Sequence, residues 1–399
     1  SERICINICI MERCTSATLH DFVRVYEEKC SLFQVEPRQY VLTIIAEALE
    51  NKNGPELKTL PLNGNRKELL SSRLKSSDIF PLAESIRESS TLSITDIDFS
   101  HNEIDDAAVS AIERIISGNM HLRVLSLRDN KFGSLMIEGL VDALNSKNAL
   151  TTLDLSRNRL ADESAELIAR LIKDSAGLRT LNLGNTELGT HAILHISVAL
   201  RENRTLTSID LEDPRLFSLQ EETTVHIARA LQPGCSGLIT LRLGKHGIRD
   251  YGVQTLCEIL ARNTTLTELD LRCNKITMEG AKSLANLLEA NSVLCSLSLA
   301  HNAIRSEGAI ALADCLRANR TLKQLNLSGC SIENGGLADL ALALLEENRT
   351  LSSIFLWGND FQQLSAKAFW QLLESKPCAV KVTDFRPFVC DETFNVARL

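Results

Sequence analysis

The chain has 399 residues, 12 cysteines and a formal net charge of −8. Length alone predicts two or three domains, and the acidic balance argues against a protein that grips a nucleic-acid backbone, which needs a clustered basic face. No stretch reaches ~18 consecutive apolar residues, so nothing in the sequence reads as a membrane-spanning helix.

At the N-terminus Ile4, Ile6, Ile8 and Ile10 alternate with other residues and do not form a continuous signal-peptide core. Met11-Glu12-Arg13 reads as a natural start. Residues 15–30 and 37–50 read as two helices, with Pro37 suited to a first helical turn. Leu57, Leu60, Leu62 and Asn65 match a short strand and turn, a degenerate unit followed by an insertion before Ile94.

From there the pattern L-x-x-L-x-L-x-x-N-x-L begins at Ile94, Leu122, Leu150, Leu178, Leu206, Leu238, Leu266, Leu294, Leu322 and Leu351. Seven of the nine intervals are 28 residues; the others are 32, from Leu206 to Leu238, and 29, from Leu322 to Leu351. Self-similarity at this period marks a leucine-rich-repeat solenoid, in which no unit can bury its apolar face without its neighbours. An array grows by addition and needs no second core, so the repeats overrule the length prior. The predicted organisation is an N-terminal helical cap over 1–56, a degenerate repeat with insertion over 57–93, ten repeats over 94–376 and a C-terminal cap over 377–399.

Within a unit, side chains alternate across a short strand. In Leu266-Thr-Glu-Leu269-Asp-Leu271 the leucines face inward, while Glu268, Asp270 and Arg272 face outward. A helix follows, its apolar face marked by Ala281, Leu284, Ala285, Leu287 and Leu288, with Gly280 and Ala281 small enough for close packing against the sheet. Parallel strands stack ~4.8 Å apart and packed helices ~8–10 Å, which predicts a horseshoe with strands on the concave side and helices on the convex side.

The asparagine of the pattern is expected to satisfy backbone groups in the turn after the strand. Asn102, Asn130, Asn158, Asn274, Asn302 and Asn359 fill this place, and Thr186, Pro214, His246 and Cys330 replace it elsewhere. Pro214 has no N–H and lies in the longest repeat, so 212–224 reads as a bulged loop, a structural insertion in preference to a binding loop. At the C-terminus Val380 and Val382 predict a last strand, with Phe385, Phe388 and Phe394 covering the final repeat.

Asn203, Asn263, Asn319 and Asn348 each begin an N-x-T sequon. All four share one repeat position just ahead of a strand, which favours loop structure over glycosylation. Cys235, Cys257, Cys273, Cys295, Cys315 and Cys330 lie inside repeats as small buried hydrophobes, and no C-x-x-C pair is present. Cys5, Cys9 and Cys14 lack a second ligand pair. The expected compartment is reducing and cytosolic.

No phosphate-cradling glycine motif, G-x-S-x-G or H-E-x-x-H occurs. His101, His246 and His301 fall in distant repeats and do not predict one metal site. No catalytic residue, cofactor, metal, nucleic acid, membrane or small-molecule substrate is expected, because a solenoid offers an open surface in place of a water-excluding pocket. The outward strand positions predict an acidic track of Asp96, Asp98, Asp154, Asp210, Glu212, Glu268 and Asp270, punctuated by Arg128, Arg242 and Arg272. The track could meet a basic partner or simply be solvated. Phe355 and Trp357 occupy outward positions of the tenth repeat, as interface anchors or as packing for the cap through Phe385 or Phe388.

The unit L-x-x-L-x-L-x-x-N-x-[IL]-x-x-x-G-x-x-x-[LI]-A-x-x-L, clean at Leu266–Leu287 and Leu294–Leu316, resembles the ribonuclease-inhibitor-like class of repeats over about residues 90–375. The ends, Phe22-Val-Arg-Val-Tyr-Glu-Glu-Lys with Glu36-Pro-Arg-Gln-Tyr-Val-Leu, and Thr383-Asp-Phe-Arg-Pro-Phe-Val, resemble the leucine-rich-repeat-containing protein thirty-four family. That resemblance implies an α/β horseshoe and an intracellular, non-catalytic protein of germ and ciliated cells. It suggests a protein-interaction scaffold placed in the cytoplasm or in the axoneme of motile cilia. Two alternatives stay open: a GTPase-activating protein resembling the Ran activator, although the acidic tail of that family is missing here, and an inhibitor of a basic enzyme such as a ribonuclease.

Overall fold

The computed structural model describes residues 19–50, 57–67, 72–89, 92–145, 149–217, 220–375 and 378–399. Met11, Cys5, Cys9, Cys14 and the first residues of the helix expected over 15–30 lie outside these. The chain forms two compact units, one ending at Leu188 and one beginning at Gly189.

In the first unit, α1 (residues 19–32) and α2 (Gln39–Leu49) precede a parallel sheet of β1 (Thr59–Pro61), β2 (Asp96–Asp98), β3 (Val124–Ser126), β4 (Thr152–Asp154) and β5 (Thr180–Asn182). Between strands run α3 (Ser76–Glu88), α4 (Val109–Gly118), α5 (Ser134–Asn145) and α6 (Ala165–Asp174). Pro37 falls just before the N-cap Arg38 and not inside the first turn of α2. The cap is fastened by Arg38, which donates from Nε at 2.9 Å and from a terminal nitrogen at 2.7 Å to the buried Asp78 of α3. Leu57, Leu60 and Leu62 are buried around β1 as expected. Asn65 is exposed in the following turn, where its Oδ1 accepts from Arg73 at 3.4 Å, so it does not play the part of a repeat asparagine.

The second unit repeats the design with β6 (Ser208–Asp210), β7 (Thr240–Arg242), β8 (Glu268–Asp270), β9 (Ser296–Ser298), β10 (Gln324–Asn326), β11 (Ser353–Phe355) and β12 (Val382–Thr383). These strands are parallel and paired in order. The helices are α7 (Thr190–Glu202), α8 (Gln220–Ala230), α9 (Asp250–Leu260), α10 (Met278–Ala290), α11 (Arg305–Ala318), α12 (Asn334–Glu346) and α13 (Gln363–Glu374). Because α8 begins at Gln220, the loop expected over 212–224 is shorter than predicted. Within each unit the central strand residue is buried, as at Leu153, Leu269 and Leu325, which is how a three-residue strand contributes to a continuous core.

Two asparagine ladders bind repeat to repeat. In the first, Asn158 Nδ2 donates to the carbonyls of Leu127 and Leu155, each at 2.9 Å, while its Oδ1 accepts the Asn130 N–H at 3.0 Å. One side chain thus satisfies groups on two successive turns. The residue ahead of each ladder position has a left-handed backbone: His101, Asp129, Arg157 and Asn185 in the first unit, Lys245, Cys273, His301 and Gly329 in the second. That conformation turns the chain out of the strand so that the amide tucks underneath. Thr186 and Cys330 keep part of the scheme, donating to Leu183 O at 2.6 Å and Leu299 O at 3.2 Å.

The second ladder uses the sequon asparagines. Asn263, Asn319 and Asn348 are buried, donating from Nδ2 to Leu231, Leu288 and Leu316 carbonyls at 2.8, 2.7 and 2.8 Å, while Oδ1 accepts the N–H groups two and three residues on. Helices are joined in a third way. Asp250, opening α9, accepts from the N–H groups of Thr277 and Gly280 at 2.8 and 3.0 Å, capping the next helix. A Cβ at Gly280 would lie 2.6 Å from Asp250 Oδ1, so the glycine serves this contact with α9.

Of the six cysteines expected to be buried in repeats, Cys257, Cys315 and Cys330 are, and burial pushes their thiols up to about 12, 12 and 11. Cys235, Cys273 and Cys295 are only half-buried. The C-terminal cap is an antiparallel hairpin, β13 (Phe385–Cys390) and β14 (Thr393–Arg398), packed on α13. Phe385 is buried against Phe361 and Phe369, with ring centroids 5.0 Å apart in each pair, and Phe394 lies on Trp370 at 5.6 Å. Phe388, expected to help cover the last repeat, remains 42% exposed.

Candidate protein-binding face

The outward strand positions of the second unit fall in three rows. Parallel register places Ser208, Thr240, Glu268, Ser296, Gln324 and Ser353 side by side in the first row. Glu268 is exposed and is the one charged side chain among these, with its Oε2 accepting only from Thr240 Oγ1 at 3.2 Å. The second row runs Asp210, Arg242, Asp270, Ser298, Asn326 and Phe355, so that Arg242 lies between two aspartates on neighbouring strands. Glu212, Gly244, Arg272, Ser328 and Trp357 continue the strands beyond their last paired residues.

Local chemistry divides the predicted acidic track. Asp98, Asp154, Asp210 and Asp270 each accept a backbone N–H two residues on, from Ser100, Ser156, Glu212 and Arg272, all at 2.9 Å. Asn182 and Asn326 do the same for Gly184 and Ser328, at 3.0 Å. The final strand position is thus a turn-forming device in which a carboxylate and an amide serve alike. Asp210 is half-buried, and desolvation raises its pKa even though Glu212 N–H and Arg242 favour the charge.

Arg272 organises the charged half of the face. It contacts Glu212 across two strands and, through Nε, Asp270 at 3.4 Å. Although partial burial works against the charge, the Glu212 hydrogen bond and the Asp270 carboxylate hold Arg272 above its ordinary pKa. The bridge passes over Gly244. A Cβ there would lie 3.1 Å from Glu212 Cγ and 3.2 Å from Arg272 Cγ, so the absent side chain opens the path.

Beside this group is a depression of about 230 Å³ bordered by Arg242, Glu268, Asp270 and Arg272, with Ser296, Ser298, Gln324 and Asn326 along its other side. These four neutral residues escaped sequence reasoning because none is charged or aromatic; only their strand position marks them. Past them stand Phe355 and Trp357, both half-buried. The cap packs through Phe361, Phe369 and Phe385, and no ring contact joins Phe355 or Trp357 to Phe385 or Phe388. The C-terminal segment meets this strand instead through the pairing of Ser353 and Ile354 with Val382 and Thr383, and through Asp384 at the Trp357 N–H.

The remaining predicted residues lie in the first unit. Asp96 and Asp98 share β2, and Asp154 is on β4 with β3 between them. Asp98 also accepts from Ser100 Oγ at 2.5 Å and from Asn63 Nδ2 at 3.3 Å, and Asp96 accepts from Thr95 Oγ1 at 2.5 Å. Arg128 donates to Ser156 Oγ at 3.1 Å. His101 pairs with Asp129 at 2.5 Å, while His246 is buried. Among the described residues no group of three or more His, Cys, Asp or Glu side chains could hold a metal ion, and no helix is long and apolar enough to cross a membrane.

Comparison with known proteins agrees with the repeat architecture. A Leucine Rich repeat family model matches residues 92–112, 118–135, 147–169, 262–285, 290–313 and 318–341. The chain is 42% identical over 212 residues to Leucine-rich repeat-containing protein 34 of Mus musculus, covering 53% of this chain and 51% of that one. Against the protein of the same name from Homo sapiens it is 46% identical over 193 residues, 48% of this chain and 41% of the other. Against the Ribonuclease inhibitor of Sus scrofa it is 28% identical over 190 residues, 46% and 40% of the two chains. The matches thus span about half the length of these relatives. Strand-helix units in parallel register, the asparagine ladders and these similarities together show an α/β leucine-rich-repeat solenoid, with homologues among the leucine-rich repeat-containing proteins 34 and similarity to the ribonuclease inhibitors.

Proposed function

We propose that this protein is a non-catalytic scaffold that binds another protein through the outward strand face of its second unit. The observation that carries this reading is the arrangement on one sheet of Glu268, which makes no ion pair among the described residues, the Arg242 and Arg272 charge cluster, a polar shelf and two outward aromatics. Hot spots of protein interfaces combine aromatic and arginine side chains on preformed surfaces. Cross-linking mass spectrometry of the full chain in ciliated cells tests it. Partners should cross-link to the wild type and be lost from a Glu268→Lys, Phe355→Ala, Trp357→Ala variant that stays folded; equal capture by both would refute the reading.

Placement in the axoneme of motile cilia rests on the resemblance of the end segments to the family with number thirty-four. Fractionation of purified cilia is the test. Recovery of the protein in the detergent-extracted soluble fraction alone would count against it.

A second reading, capture of a basic enzyme, is favoured by the excess of carboxylates on the second unit, where Asp210, Glu212, Glu268 and Asp270 stand against Arg242 and Arg272. The name of the Sus scrofa relative points the same way. Absence of binding to a pancreatic-type ribonuclease at low salt, where such attraction is strongest, would remove it.

A further inference from the structure

Resting on the reading of this face as a protein-binding surface, we propose that its occupant is an extended peptide segment carrying a lysine or arginine at Glu268 and a large apolar side chain at Phe355 and Trp357. The charge argument concerns Glu268. Its neighbours in the first row are serine, threonine and glutamine, whereas every other carboxylate of the second-unit track is used: Asp210 and Asp270 by turns beside Arg242, Glu212 by Arg272. An exposed carboxylate without a cation on its row is where a partner's cation gains most.

The conformation follows from what lies between the two ends. Ser296, Ser298, Gln324 and Asn326 offer hydroxyl and amide groups, donors and acceptors both, along the side of a depression of about 230 Å³. A helix is ~10–12 Å across and has already satisfied its own backbone, whereas an extended chain brings free N–H and C=O groups to a polar shelf. From Glu268 on β8 to Phe355 on β11 the register counts three strand spacings and two residues along the strand. At ~4.8 Å per spacing and ~3.3 Å per residue the span is about 16 Å, or about five residues of extended chain. The recognised pattern is therefore a basic residue and an aromatic or large aliphatic residue roughly five positions apart, in a segment free of helix-forming bias.

A phage-displayed library of random linear peptides, panned on the full chain, tests this directly. Selected sequences should be enriched in Lys or Arg spaced about five residues from Phe, Trp, Leu or Ile. Panning on Glu268→Gln should lose the basic preference and keep the apolar one; panning on Phe355→Ser with Trp357→Ser should do the reverse. A selected peptide should bind Glu268→Gln roughly tenfold more weakly by fluorescence polarisation, with circular dichroism confirming that the variant is folded. No enrichment of the pair, or the same enrichment on wild type and variants, overturns the proposal. If cross-linked partners are lost from the variant used for the scaffold reading but carry no such spacing at the cross-link, the scaffold stands and this segment falls; if they are retained, both fall.

Discussion

His246 takes the ladder position opposite Pro214, and the two substitutions compensate each other. In a regular repeat the asparagine Oδ1 accepts N–H groups from the turn before, as Asn158 does from Asn130 at 3.0 Å and Asn274 from Ile248 at 3.1 Å. Pro214 has no N–H, and that of Leu216 turns back to the Pro214 carbonyl at 3.1 Å. An acceptor here would have little to receive. The imidazole keeps only the donor half, giving Nε2–H to Leu211 O at 2.8 Å, and its Nδ1 is buried without a partner.

That arrangement makes stability pH-dependent. Burial depresses His246 from 6.5 to about 4, against the opposing pull of the Leu211 carbonyl and Asp213. Above pH 6.5 the ring is neutral folded or unfolded. Between 6.5 and 4 the unfolded chain binds a proton that the folded chain resists, so stability falls with pH, by up to roughly 3 kcal/mol, and the loss is complete below about 4. Urea midpoints at pH 7 and pH 4.5 should differ less in His246→Gln than in the wild type. An equal pH dependence in both would contradict the assignment.

Removing a regular rung should be costly. Asn302 Nδ2 donates to Leu271 O and Leu299 O at 2.9 Å each, and its Oδ1 accepts from Ile276 N–H at 3.1 Å. Asn302→Ala leaves buried backbone groups unpaired, a loss of about 2–4 kcal/mol. Urea denaturation measures it, and a change below about 0.5 kcal/mol, the range of an ordinary surface substitution, would show that the rung is dispensable.

At the other end Asp384 closes the sheet. Its carboxylate accepts the N–H groups of Leu356 at 2.8 Å and Trp357 at 3.0 Å, together with Ser328 Oγ at 3.0 Å. We expect Asp384→Ala to cost about 1–3 kcal/mol and to accelerate amide exchange at Leu356 and Trp357 ahead of the ladder in β8 and β9. Uniform acceleration through the second unit would argue against a local closing role.

Gly244 should matter to binding more than to folding. A valine there would force Glu212 and Arg272 apart, releasing a partly exposed pair whose net contribution to stability is under about 1 kcal/mol. Partner binding to the charged half of the face should weaken while the urea midpoint barely moves. A large fall in the midpoint with intact binding would reverse that ranking.

The leucine ladder was legible in the sequence because burial repeats with the period of the fold: Leu153, Leu269 and Leu325 recur where the strand centre must be. The candidate face was legible only in part. Aspartate at the end of a strand looks like a binding carboxylate, yet Asp154 and Asp270 are occupied by a backbone N–H two residues away. The Arg272 to Glu212 contact joins residues 60 positions apart, and the Asp250 cap joins residues 27 and 30 apart. Such links depend on how neighbouring repeats are stacked and have no local signature. Likewise the left-handed backbone at Arg157 and Lys245 falls on residues with no preference for it, imposed by the turn they occupy.

The second ladder carries a consequence for the chemistry of the nascent chain. Asn263, Asn319 and Asn348 lie in N-x-T sequences, and the nitrogen each donates to a carbonyl of the previous repeat is the atom to which an N-linked glycan would be attached. Folding and glycosylation compete for that one atom. A sugar added first would wedge adjacent turns apart, and once the turns have closed no enzyme can reach the nitrogen.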